Sequence, residues 1–237
     1  MIGTFVNTGA IIAGGAAGML FGRLLGKKQQ ETLMMACGVG TLFIGIAGAM
    51  RYMLHSDSMP GGGTMLLVGC LALGGLIGEL LDIESLFERF GEWLKRKTGN
   101  AKDLGFVNGF VTASLTVCIG AMAIMGAIQD GLSGDWSTLG AKAILDLIIV
   151  MVMTCSLGIG CAFSAVPVFL WEGGLTLLAG LVRPLMTEQA LACLSLVGSV
   201  LLFCVGLNLV WGKRIRVANL LPAVLLAVAA SFLPIAF

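Results

Sequence analysis

Apolar runs of about 20 residues follow one another through this chain, each long enough to cross a hydrocarbon layer of about 30 Å as a helix. Lipid offers no water to a bare backbone, so a spanning segment must satisfy its own N–H and C=O groups as a helix or join a closed barrel. The runs lack the apolar–polar alternation of barrel strands. The chain therefore reads as all-α, a polytopic transmembrane helix bundle. Only 11% of its residues are charged, against roughly a quarter in soluble domains, and its mean hydropathy is +1.01.

About eight spans are expected: Thr4 to Leu24, Thr32 to Met53, Thr64 to Leu81, Leu104 to Ile128, Thr138 to Ser156, Cys161 to Leu181, Gln189 to Trp211 and Val217 to Leu233. Their connections sort the basic residues. Arg23, Lys27, Lys28, Arg89, Lys95, Arg96, Lys97, Lys102, Lys213, Arg214 and Arg216 fall on one side, while Arg51, Lys142 and Arg183 lie on or toward the other. The positive-inside rule assigns the larger group to the cytoplasm, so both termini are expected outside, N-out/C-out. No Lys or Arg precedes the first run, which is expected to persist as a transmembrane helix rather than act as a cleaved signal.

No soluble-looking block exceeds the charged stretch after Asp82, so residues 1–237 are expected to form a single transmembrane domain. In that stretch Ile83, Leu86, Phe87, Phe90, Trp93 and Leu94 share one helical face, with Glu84, Glu88, Arg89, Glu92, Lys95 and Arg96 opposite. The spacing predicts an amphipathic helix over 83–97, lying in the cytoplasmic interface.

Gly14, Gly18, Gly22 and Gly26 make a flat stripe along the first run. Stripes of small residues let helices approach closely in lipid, which here means tight packing within the bundle or, alternatively, a homodimer seam. Two faint internal echoes accompany it. Thr112 to Gly131 lies over Thr154 to Gly173 at an offset of 42, and Phe5-Val-Asn7 matches Phe106-Val-Asn108, a hint of inverted three-span units. The seven cysteines all sit in apolar segments and read as small packing residues.

Charges inside apolar runs are the expensive exceptions, at about 2.5 to 3.5 kcal/mol for a central carboxylate. Asp146 lies roughly 12 Å into the fifth span, and Glu172 about 16 Å into the sixth from the opposite side. Lys142 is one turn from Asp146 on the same face, so the two can pair, although Lys142 can also snorkel outward. Pro167 frees a backbone carbonyl within its helix, a contact for a cation or substrate. Asn108 adds an amide near the start of the fourth span. Asp146, Glu172, Lys142, Asn108 and Pro167 are thus the candidate substrate- or ion-binding residues, with Asp146 foremost. A buried contact that merely locks the fold is the competing reading. Asp130 and Asp135 read as residues of a solvated outer turn.

The sequence has no HExxH, GxSxG, Walker loop or GxGxxG in a strand–helix setting, and its lone histidine, His55, falls in an outer loop. An enzyme is not expected, nor a cofactor, a bound metal or a nucleic-acid partner.

Taken in order, Gly3-Thr-Phe-Val-Asn7, Ile77-Gly-Glu-Leu-Leu-Asp-Ile-Glu84, Gly120-Ala-Met-Ala-Ile-Met-Gly-Ala-Ile-Gln-Asp-Gly-Leu-Ser-Gly-Asp135, Ala141-Lys-Ala-Ile-Leu-Asp146, Cys155-Ser-Leu-Gly-Ile-Gly160 and Asn219-Leu-Leu-Pro-Ala223 span nearly the whole chain. This set resembles the bacterial membrane-protein family of unknown function typified by YdfK and YqgA. The resemblance implies a multi-pass protein of the bacterial inner membrane and supplies no mechanism. Glu172 lies in none of these motifs.

The expected function is that of a secondary transporter or exchanger for an unknown small solute or cation, working through an intramembrane carboxylate site, with the lipid bilayer as its other partner. A non-transporting structural or regulatory protein is the alternative, and a passive channel the third.

Overall fold

The computed structural model describes residues 1–54, 62–100, 103, 105–119 and 121–232. His55, Lys102, Leu104, Gly120 and Leu233 of the sequence reading lie outside them. Among the described residues all regular structure is helical: α1 (Ile2–Leu24), α2 (Lys27–Met53), α3 (Gly62–Leu81), α4 (Ile83–Lys97), α5 (Phe106–Cys118), α6 (Ala121–Ser133), α7 (Ser137–Leu157), α8 (Ala165–Leu177), α9 (Ala179–Val182), α10 (Glu188–Trp211) and α11 (Pro222–Ala230). Short 3-10 segments cover Ile159–Ser164, Arg183–Leu185 and Val217–Leu220.

Among the described residues six helical segments are long and apolar enough to cross a membrane, and α5 with α6, bent by 63°, make a seventh if the pair is one span. The last expected span is a shorter apolar helix, Val217–Ala230. Pro222 accounts for its form. Proline has no N–H to give a preceding turn, so α11 starts there and Val217–Leu220 winds as 3-10. Bulky apolar side chains such as Phe5, Leu20, Phe43, Leu80 and Leu145 point outward, as lipid-facing helices require.

The described chain packs as two compact units. The first comprises Met1–Cys37, Ser85–Cys118 and Met122–Gly180. Its main contact joins α1 to α7. A Cβ on Gly14, Gly18 or Gly22 would meet the backbone of Leu147, Met151 and Cys155 in turn, so both helices advance together and run parallel. Cys155 fits this seam as a small residue, its thiol donating to the Gly18 carbonyl at 3.3 Å. Against them α8 runs antiparallel to α1, since Gly15 meets Ala162 while Asn7 and Thr4 meet Glu172 and Thr176. The amphipathic α4 rests part of its apolar face on α5: Gly91 lies against Phe110, and the Phe90 and Phe110 rings are 5.8 Å apart. Its last turn carries Lys95, Arg96 and Lys97, which complement the negative end of the helix dipole.

The second unit comprises Gly38–Glu84, Ile119–Ala121 and Leu181–Phe237. Here α2 and α10 are antiparallel, with Gly38 at Val210, Gly45 at Phe203 and Gly48 at Ser199. Likewise α3 meets the last apolar segment with Gly74 at Ala223 and Gly78 against the Asn219 backbone. That closeness lets Asn219 accept the Glu84 backbone N–H at 2.7 Å and donate to Glu79 at 2.7 Å. The Glu84 carboxylate in turn accepts the Ala218 N–H at 3.0 Å and pairs with Lys213 at 2.8 Å.

Candidate functional site

Lys142 and Asp146 lie one turn apart on the buried stripe of α7 that continues through Val150 and Thr154. Spacing of four puts their side chains together, and they form an ion pair with 6% and 4% of their surface exposed. The same ammonium donates to the Val117 carbonyl at 2.8 Å and stands 3.4 Å from Glu172 Oε1. Val117 is the penultimate residue of α5, where last-turn carbonyls have no helical partner and the dipole is negative. The interruption of the fourth apolar run thus supplies an acceptor that an unbroken helix would have kept for itself.

Glu172 reaches the cluster from α8 and is 1% exposed. Its Oε1 accepts a hydrogen bond from Asn7 Nδ2 of α1 at 2.8 Å. Glu172 Oε2 and Asn7 Oδ1 are both buried without a hydrogen-bond partner. One ammonium therefore faces two buried carboxylates.

A line of buried hydroxyls leads away from Glu172. The Thr176 hydroxyl donates to the Glu172 carbonyl at 2.8 Å, and Thr4 and Thr176 hydroxyls are 3.2 Å apart. Beyond Thr4, the Gly3 N–H donates to Asp130 Oδ2 at 3.0 Å, and the Met1 amino group lies 2.9 Å from Asp130 Oδ1. Asp130, expected in a solvated turn, is buried at 3% exposure and caps the first turn of α1 from α6. The free N–H groups and positive dipole of a helix start draw a carboxylate there. Asp135 is exposed as expected. The Ser137 N–H, 3.0 Å from its Oδ1, and the Ser137 hydroxyl hold its carboxyl below the usual carboxylate range.

Two of the candidate residues stand apart from the cluster. Asn108 is exposed on α5, whereas Asn7, its counterpart in the Phe-Val-Asn echo, is fully buried. Pro167 is the third residue of α8 and half-buried. Its missing N–H falls in the first turn, where such groups have no helical acceptor, so it helps start a helix rather than kink one. The chain bends earlier, at Gly158 (φ 89°) and the 3-10 segment that follows. Asn7 and the Val117 carbonyl are the members that sequence reasoning missed. The echo flagged Asn7 without its partner, and a main-chain carbonyl carries no signature in a side-chain pattern.

A family model described as "Protein of unknown function (DUF554)" matches residues 2–232. The chain is similar to "Uncharacterized membrane protein YdfK" of Bacillus subtilis (strain 168), 30% identical over 237 residues, covering 100% of this chain and 98% of the relative. It is equally similar to "Uncharacterized protein YqgA" of Escherichia coli (strain K12), 30% identical over 235 residues, with 98% and 96% covered. No solved structure matches the chain.

Proposed function

This chain belongs to the DUF554 family of proteins of unknown function, and we propose that it is a secondary transporter or exchanger of a small solute or ion in the bacterial inner membrane, with both termini outside. The observation that carries this reading is the Lys142 ammonium shared between Asp146 and Glu172 at the end of the interrupted helix α5. A lock for the fold needs one carboxylate per ammonium. A second buried carboxylate raises the cost of the site by about 2.5 to 3.5 kcal/mol on insertion scales, a cost expected where charge is used. Broken helices whose ends face the charge are also how many carriers build sites at mid-depth, with carbonyl ends turned to a cation. Here Lys142 occupies the position of such a cation. An arriving cation or proton would compete with it for the carboxylates and bias the packing of α1, α7 and α8 around them.

The test is uptake into proteoliposomes. Asp146→Asn is expected to abolish pH- or sodium-gradient-dependent uptake while the protein still folds. Unchanged gradient dependence refutes the coupling role. Candidate solutes are found first by thermal stabilisation, since a ligand that binds only the folded state raises its melting temperature.

A non-transporting structural role is favoured by one observation, the close pairing of Lys142 and Asp146 within a single helix turn. On that reading Asp146→Asn changes the melting temperature, and no gradient drives solute flux through the wild type.

A further inference from the structure

Resting on the transporter reading, we infer that Glu172, held by Asn7, is the group that takes up and releases a proton, while Lys142 and Asp146 form a fixed counter-pair. The two buried polar atoms of the cluster that lack a partner, Glu172 Oε2 and Asn7 Oδ1, are both acceptors. What the site lacks is a donor. Protonating Glu172 supplies one, because a neutral carboxyl has an O–H where the carboxylate has only acceptors. It also matches one remaining carboxylate to one ammonium.

Asp146 is the less suitable carrier. It is paired with Lys142 on its own helix and has no unpartnered buried oxygen. Glu172 is farther from the ammonium, at 3.4 Å, and keeps one oxygen over. A metal cation fits poorly, since hard cations gather a shell of several oxygens and only two here are without partners, beside a fixed ammonium. The groups facing Glu172 are Lys142 and Asp146 from α7, the Cys118 thiol at the end of α5, and Asn7 from α1. Thr176 gives its hydrogen to the Glu172 carbonyl, so Thr4 donates to Thr176. That pair ends on the main-chain carbonyl of Glu172 and not on its carboxyl, so it ties α8 to α1 beside the proton-binding group.

The experiment is infrared difference spectroscopy of the purified full chain in lipid nanodiscs across a pH series, following the C=O stretch of a neutral carboxyl. A band is expected in the wild type that moves when glutamate carries heavy-carbon side-chain carboxyls and stays when aspartate does. Glu172→Gln, whose amide supplies the missing donor and so preserves the fold, is expected to remove it. Asp146→Asn is also expected to remove it, because one ammonium then matches Glu172 alone. A band that moves with labelled aspartate, survives Glu172→Gln or is erased by sodium chloride at fixed pH overturns the assignment, as does its absence at every pH. Proteoliposome flux separates the two proposals. The band without gradient-driven uptake sinks the transporter reading and leaves the proton site standing, and uptake without the band does the reverse.

Discussion

Gly14 of α1 lies so close to Leu147 of α7 that a methyl group on it would overlap the Leu147 carbonyl oxygen. The contact repeats at Gly18 with Met151 and at Gly22 with Cys155, so backbone meets backbone over two helical turns. Water provides no drive between helices in lipid, and van der Waals packing of this kind takes its place.

Gly14→Leu is therefore expected to lower stability by about 1–3 kcal/mol or more, since neither backbone can give way as a side chain would. Gly9→Ala, on the same helix with nothing within 4 Å, is the matched control. It should be neutral or stabilising by up to about 1 kcal/mol, the helix preference of Ala over Gly. Thermal unfolding of both variants in one detergent checks the pair, and equal losses would remove the α1–α7 seam from the account.

Removing Lys142 leaves two buried carboxylates facing each other without a counter-charge. Lys142→Met is expected to cost about 3–5 kcal/mol, the usual loss when one partner of a buried pair is deleted. Adding Asp146→Leu to it should recover part of that loss, a coupling that a double-mutant cycle in denaturant reads directly. Additive effects would show that the two side chains do not act as a unit.

Asp135, exposed in the turn before α7, makes stability depend on pH. Folding lowers its proton affinity through the Ser137 N–H and hydroxyl, so its contribution is present above the unfolded carboxylate value and is lost as pH falls through the lower folded one. Asp135→Ala should thus melt below the wild type at neutral pH, with the gap closing as the pH drops under about 4. A gap that widens on acidification contradicts the sign.

The apolar runs and the 83–97 amphipathic helix were legible because each rests on a periodicity that side chains write into the sequence, and α4 covers Ile83–Lys97. The Lys142–Asp146 neighbourhood was legible for the same reason, being set by one turn of one helix. Glu172 could be placed by depth alone, without a partner. Asn7, Asp130 and Val117 join the cluster and its surroundings through tertiary packing, across sequence separations of 165, 127 and 25 residues. Asn108 shows the limit of local likeness. It shares Phe-Val-Asn with Asn7, yet its position on α5 turns it outward. Pro222 sets the start of the last α-helix, a point that the hydropathy of the run alone does not mark.

The glycine contacts make α1 and α7 run in the same direction. Two stretches of one chain that share a direction through a bilayer are separated by an odd number of crossings. With α2 and α3 each long and apolar enough to cross once, a shared direction of α1 and α7 is what a crossing by the bent α5–α6 pair, rather than a turning back, would produce.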